Sequence, residues 1–545
     1  MESLIASKIQ SWLAWFLKAI LLLTFLILFT RLFELQVIKG AYFRSLSEGN
    51  RIRRINITAP RGKILARGGE ILVDNRQVKV NIIFDKESGY KKVSVENDFG
   101  GELVHTEPLR YYPLGESFAH VSGYLGEVRE AEVEKVRGEC PEKGPRKLGD
   151  LVGRSGLEEE YDCILSGIDG EELIEVDALG NKIRSLGTKQ PLAGSDLQTT
   201  IDFDLQMKVS TLLPDKKGGI VITDSRGQVL ALYSSPSFNP NVFVAKKMAD
   251  KISGIVNDKK NIPLFNRLIT GVYSPGSIFK PVVALAALEE KIIDSNFIYE
   301  DQGKIVIKTL YGNFSYTNWF FNQYGAVEGK IKLDRALARS TDTFFYKLGE
   351  LLGVDKLDDW SVKLGLDKET GIDLPSEIAG VIPSPDWKMR VKKEKWFLGN
   401  TYHMAIGQGD ILVTPMAIHT AISAIASDGN LCQPYIAKEG KCKNLELESN
   451  NLSFVKEGMR EACDQGGTGY TFFDFEEKRG LKVACKTGTA QIGEKEVTHA
   501  WFTAFAPLEK PEIMATVLVE RGGEGSKVAG PIAREIFDYW FSKND

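Results

Sequence analysis

The sequence predicts an α/β (α+β) fold: an antiparallel sheet built from both ends of a long C-terminal segment with a helical lobe inserted, behind a mostly β module and one membrane helix. Three observations carry this reading. Residues 219–234 and 482–520 read as strands with short turns, and the stretch between them is helix-rich from 280 to about 424. Residues 51–84 carry short strand-like runs broken by turn residues. Residues 12–30 (WLAWFLKAILLLTFLILFT) hold one charge, Lys18, in an otherwise apolar run.

That run matches the roughly 20 residues a helix needs to cross a bilayer. Lys18 can snorkel to the nearer interface, where the tryptophans also fit. A buried core helix and a cleaved signal peptide compete with this reading, but no small-x-small cleavage site follows. Lys8 and Lys18 lie on one side, and Arg31, Lys39 and Arg44 on the other, so charge leaves the orientation open. Residues 1–35 are read as a short tail and anchor.

Residues 36–195 are expected to form an elongated, mostly β module. RIRRINIT (51–58) alternates as a strand, and Pro60-Arg61-Gly62 supplies a turn. Further strands are expected at 63–65, 70–73 and 78–84, and a loop at 138–147. Ser155-Gly-Leu-Glu158 has capping-box spacing and opens a short helix ending near Gly167.

Residues 196–545 are expected to form the larger domain. It begins with a strand at 197–201 and a helix at 206–213. A hairpin turns at Asp224-Ser-Arg-Gly227, and the closing strands 482–489, 500–506 and 512–520 precede a last helix at 531–541.

Composition excludes several classes. A chain of 545 residues needs more than one folded unit, and its 43% hydrophobic and 26% charged residues are those of a globular protein. A net charge of -4 argues against a nucleic-acid partner. No CxxC or His/Cys cluster suggests a metal, and no cofactor motif stands out. Six cysteines are too few for a disulfide scaffold. Cys432 with Cys442, and less readily Cys140 with Cys163, could pair in an oxidising compartment; buried free thiols are equally compatible. Cys485, beside Lys486 on a strand, reads as a core residue.

Three short motifs carry chemistry. Ser277-Ile-Phe-Lys280 follows a Tyr273-Ser-Pro-Gly276 turn and opens a helix whose continuation, 282–288, is apolar on every side. Serine and lysine at i and i+3 share a helix face, so the amine can take the hydroxyl proton. Pro281 has no N–H, which leaves the Ser277 carbonyl without its usual i+4 donor. Alone the pattern is weak: Ser88…Lys91 and Ser453…Lys456 repeat it and read as solvated charge.

Lys486-Thr487-Gly488-Thr489 ends a strand. Gly488 lets a substrate backbone come close, the two threonines present hydroxyls on one face for a carboxylate, and Lys486 adds charge for the same anion. An edge strand with a protective lysine is the bland alternative. Ser340-Thr-Asp342 opens a helix, where both residues could act simply as caps.

In the order SxxK, Sx[ND], KTG, the three motifs resemble the signature of serine penicillin-recognising enzymes. The resemblance to class B penicillin-binding proteins extends over nearly the whole chain through Pro60-Arg-Gly62, Gly153-Arg-Ser-Gly-Leu-Glu158, Thr370-Gly-Ile-Asp-Leu-Pro375 and Gly407-Gln-Gly409. His499-Ala-Trp-Phe502 and Asp342 resemble the elongation-type branch, penicillin-binding protein 2, more than the septal one. Two departures stand out: Ala66-Arg-Gly-Gly69 replaces the usual Asp-Arg-Asn-Gly, and the short stretch from Asn75 to Arg110 implies a reduced pedestal head.

The resemblance implies a peptidoglycan D,D-transpeptidase that needs no cofactor and is inhibited by β-lactams. It gives catalytic roles to Ser277, Lys280, Ser340, Asp342 and Lys486, and substrate binding to Thr487, Gly488 and Thr489. The implied partners are stem peptides with a D-Ala-D-Ala donor and an amine acceptor, and a SEDS-type glycan polymerase of the elongation complex. The body is then expected outside the cytoplasmic membrane, with the N-terminus inside. A D,D-carboxypeptidase, a class A β-lactamase and a non-catalytic β-lactam sensor compete with this expectation. The β-lactamase would carry a Glu-x-x-Leu-Asn element, which this chain lacks.

Overall fold

The structure is a computed structural model that describes residues 2–85, 89–94, 104–133, 140–177, 182–245, 248–310, 312–493 and 495–543. The chain packs as two compact units. One comprises 1–60, 77–108 and 167–193; the other comprises 61–76, 109–166 and 194–545.

The first unit opens with helix α1 (Glu2–Phe33), continued by a wide helical turn, Glu34–Ile38, and a second helix, Gly40–Arg51. The apolar side chains of α1 are exposed, Leu21 at 72% and Phe25 at 67%, so it is not a core helix, and its length and composition suffice to cross a membrane. Three antiparallel strands follow: β1 (Ile52–Ile57), β2 (Gly170–Val176) and β3 (Lys182–Lys189), in the order β1-β2-β3. Their small core is Ile55, Ile174 and Val176. Cross-strand ion pairs such as Arg184–Glu175 at 2.6 Å and Lys182–Glu172 at 2.7 Å accompany it.

The second unit is organised by a five-stranded antiparallel sheet: β4 (Gly218–Thr223), β5 (Val229–Ser235), β6 (Ala484–Ile492), β7 (Lys495–Ala506) and β8 (Ile513–Val519), in the order β5-β4-β8-β7-β6. Period-2 alternation divides β7 between two cores. Trp501 and Phe505 join a cluster with α2 (Lys280–Glu289), while Phe502 and Ala504 join one with Leu205, Phe472 and Phe537. The apolar run 282–288 is buried throughout, as an all-round apolar helix should be. Helices α3 (Leu333–Arg339), α4 (Asp342–Lys363), α5 (Leu398–Ala405), α6 (Pro415–Ala426) and α7 (Ser449–Ala462) make the inserted lobe, and α8 (Gly525–Lys543) closes the chain.

Several expectations are corrected. The two strands expected at 70–73 and 78–84 are one strand, Ile71–Asp85. The helix-rich stretch contains a hairpin, Lys304–Thr309 with Gly312–Thr317. Helix α8 begins at Gly525, with Pro531 inside it rather than at its start. Ser155 makes no side-chain cap, and the Glu158 carboxylate that would complete a capping box is instead buried against Arg61 and Arg110 in charge-assisted bonds. The packing units also cut across the 36–195 module: Ile64, Leu72, Tyr112 and Leu157 share a core with Val221, Leu268 and Met416. The cysteines form three disulfides, Cys140–Cys163, Cys432–Cys442 and Cys463–Cys485, so Cys485 is both core and bridged.

Candidate active site

Ser277 lies in a 3₁₀ turn, Gly276–Phe279, that runs directly into α2. The carbonyl that Pro281 cannot serve accepts instead from the Lys280 N–H, so the missing i+4 donor is replaced by an i+3 one. The turn is clamped from three sides. Tyr273 and Val413 exchange two backbone bonds of 2.9 Å, Gly276 N–H donates to Gly407 O at 2.8 Å, and Trp501 Nε1 donates to Ser274 O at 3.2 Å. Gly276 (φ +57°) and Gly407 (φ +70°) make this contact possible, since a Cβ on Gly407 would strike the Gly276 carbonyl.

Two buried amines meet at one hydroxyl, that of Ser340. Lys280, with no exposed surface, donates to Asp342 Oδ1 at 2.6 Å, to Ser340 O at 2.9 Å and to Ser340 Oγ at 3.1 Å. Lys486, also fully buried, donates to Ser340 Oγ at 2.9 Å and to its neighbour's carbonyl, Thr487 O, at 3.1 Å. Ser340 reaches this place because it ends α3 in the left-handed conformation (φ 54°), which turns the chain sharply into α4. Thr341 is the N-cap of α4 and makes no side-chain cap, and Asp342 is turned to Lys280. Capping by Ser340 and Asp342 therefore does not describe this turn.

Burial depresses the Lys280 amine, and the Asp342 charge and hydrogen bond oppose the shift. Lys486 falls well below the ordinary lysine range, through burial and then the charge of Lys280. The aromatic ring of Phe345, 5.2 Å from Lys280 Nζ, adds to the dry surroundings.

Above this floor is a cavity of about 960 Å³, lined by Ser277, Ser340, Asp342, Thr487 and Thr489. Thr487 donates to Thr468 Oγ1 at 2.9 Å, and Thr489 Oγ1 accepts from Gly525 N–H at 3.2 Å. Gly488 stands apart from the expected role. A Cβ there would lie 2.9 Å from Trp501 Cβ and 3.1 Å from Ile278 Cγ2, so its bare side accommodates Trp501 and the Ser277 turn. Lys486, expected to face the anion, lies instead behind the lining.

The motif reading missed Tyr316, Trp319, Tyr346, His403 and Thr468, which line the same cavity. Burial raises the Tyr346 hydroxyl's pKa and lowers that of His403. Gln408, of Gly407-Gln-Gly409, donates to Thr489 O at 3.3 Å. Of the two repeated Ser-x-x-Lys patterns, Ser88 is outside the described residues. Ser453 and Lys456 lie on α7, where Lys456 is 8% exposed and pairs with Asp428 at 2.7 Å, not solvated as expected.

Residues 218–538 match the family described as penicillin binding protein transpeptidase domain, and 85–199 the penicillin-binding protein dimerisation domain. A peptidoglycan D,D-transpeptidase MrdA of Acinetobacter baumannii is 32% identical over 96% of this chain and 87% of its own. Penicillin-binding protein 2 of Helicobacter pylori, solved in complex with MreC, aligns at TM-score 0.77 and 28% identity over 90% of this chain and 99% of its own. A peptidoglycan synthase complex that coordinates polymerisation and crosslinking aligns at TM-score 0.76 and 26% identity, over 96% and 98%.

Proposed function

We propose, because this chain belongs to the penicillin-binding protein transpeptidase family and to its class B, elongation-type branch, that it is a peptidoglycan D,D-transpeptidase acting through Ser277. The carrying observation is Ser340 Oγ, held 3.1 Å from Lys280 Nζ and 2.9 Å from Lys486 Nζ beneath the cavity that Ser277 lines.

Ser277 Oγ attacks the carbonyl between the two terminal D-alanines of a donor stem, passing its proton to neutral Lys280. The backbone N–H groups of Ser277 and Thr489 stabilise the oxyanion. A hydroxyl between two nitrogens can accept from one and donate to the other, so Ser340 relays a proton towards the leaving D-alanine. Thr487 and Thr489 hold the substrate carboxylate. An acceptor amine then attacks the acyl-serine, restoring Ser277 and forming the cross-link; a β-lactam stops at the acyl stage.

The functional division follows the same reading: 1–35 as anchor, 36–195 as pedestal with a reduced head, and 196–545 as transpeptidase domain. Stem peptides lie outside the cytoplasm, so the anchor is single-pass with its N-terminus inside and the body beyond the cytoplasmic membrane. A SEDS-type polymerase and the elongation machinery are the proposed partners. Supporting this, a relative is solved with MreC and another in a synthase complex.

Fluorescent penicillin labelling with a D-alanine release assay tests the reading. Ser277→Ala is expected to lose labelling and release together, with an unchanged melting curve. Labelling that persists would transfer the nucleophile's role to Ser340, and labelling of the wild type without release would make the chain a sensor.

A further inference from the structure

A carboxylate-bearing ligand entering the cavity is drawn by positive charge, and the two lysines of the motifs present none at the cavity surface. Lys280 and Lys486 have no exposed surface, and their ammonium groups are bonded to Asp342, Ser340 and backbone carbonyls. Burial of His403 favours its neutral form. Among the described residues that line the cavity, Lys527 is the one with a side chain cationic at neutral pH.

Its position is fixed by the strand that carries the two threonines. Lys527 lies in the first turn of α8, and that turn is fastened to β6 by Gly525 N–H donating to Thr489 Oγ1 at 3.2 Å. Because Thr489 Oγ1 accepts there, its own proton is left to donate to an anion. Lys527 Nζ pairs with Glu524 Oε2 at 2.9 Å, and both side chains are open to the cavity at 61% and 50% exposure. This pair raises the Lys527 pKa, which keeps the amine charged. An ammonium has three donors, so a ligand carboxylate can join Glu524 or displace it.

We propose that Lys527 is a specificity-determining residue that draws carboxylate-bearing ligands to the Thr487–Thr489 end of the cavity, with Glu524 as the internal anion that competes for it. This rests on the Ser277 reading and deepens it. Both groups are solvated, so the effect is a several-fold bias on capture, and no part of the bond-making step.

The test is the second-order acylation rate of the full-length, detergent-solubilised chain with benzylpenicillin and with its uncharged methyl ester. Lys527→Gln is expected to slow benzylpenicillin about two- to fivefold and to leave the ester unchanged. Glu524→Gln is expected to act in the opposite direction, raising the benzylpenicillin rate. The benzylpenicillin rate of the wild type should fall with added salt, and that of Lys527→Gln should not. An unchanged benzylpenicillin rate in Lys527→Gln overturns the proposal. So does equal slowing of acid and ester, which marks damage to the helix end, or slowing by both substitutions. If the Ser277 reading itself is wrong, the wild type acylates with neither compound, a result distinct from all of these.

Discussion

Two clusters of buried charge in the same compact unit are built to opposite ends. Around Glu158, Arg110 Nε donates at 2.6 Å and Arg61 pairs at 2.9 Å, while Asp162 takes Arg61 at 2.9 Å and Arg146 at 3.1 Å. Arg61 there is matched with two carboxylates, and although burial is the largest single influence and would lower its pKa, Glu158 and Asp162 together raise it. Around Ser340, two ammonium groups share one carboxylate, Asp342, and both lysine pKa values are lowered. Burial is common to both places, so burial alone does not strip a proton. What differs is the opposition to burial: two carboxylates outweigh it at Arg61, whereas at Lys280 and Lys486 burial is the largest influence, Asp342 alone opposes it, and the group between the two amines is the neutral hydroxyl of Ser340. Residue type reinforces the difference, since arginine keeps its proton at any physiological pH and lysine need not.

Removing an anion from the matched cluster should have the largest effect. Glu158→Gln leaves Arg61 and Arg110 without their shared charge, and a loss of about 3–5 kcal/mol in unfolding free energy is expected. Denaturant unfolding measures it, and the penicillin acylation rate per folded molecule should hold. A change under about 1 kcal/mol would mean that the cluster is not relying on its ion pairs.

Removing a cation from the unmatched cluster should act on chemistry instead. Lys486→Met leaves Lys280 and Asp342 as a balanced pair. With the like charge gone, the Lys280 ammonium is favoured, its pKa rises, and the amine becomes free only at higher pH. The rising limb of acylation against pH should move up by about one unit, and the rate at neutral pH should fall by about a hundredfold if the proposed relay through Ser340 is also lost. A limb that stays in place would show that Lys486 does not bear on the Lys280 amine.

The parts of this arrangement that are legible in the sequence are the local ones. Ser277 and Lys280 are three residues apart on one turn, so their shared face follows from helix geometry. The threonines of β6 are two apart on a strand, which puts them on one face for the same kind of reason. The meeting of Ser340 with Lys486 depends on the packing of α4 on α2 and on the edge position of β6, which no local spacing encodes; the family resemblance supplies it. Ser-Thr-Asp before a helix reads as a cap, yet an ammonium at 2.6 Å is a stronger partner for Asp342 than a backbone N–H. The hairpin bearing Tyr316 escapes a pattern reading because most of its residues are exposed on both faces, which erases the alternation that reveals a half-buried strand. Pro531 reads as a helix start because proline favours that position, but α8 already runs six residues before it.

The most direct test of the charge imbalance is the acylation rate as a function of pH in Asp342→Asn. Removing the carboxylate leaves two ammonium groups with no counter-charge, which disfavours the protonated form of Lys280 beyond what burial already does. Its pKa is thus depressed further, and the free amine appears at lower pH. The rising limb should therefore shift downward by about one unit in a folded protein, opposite to the shift in Lys486→Met. A profile that coincides with the wild type, or one displaced upward, would contradict the account.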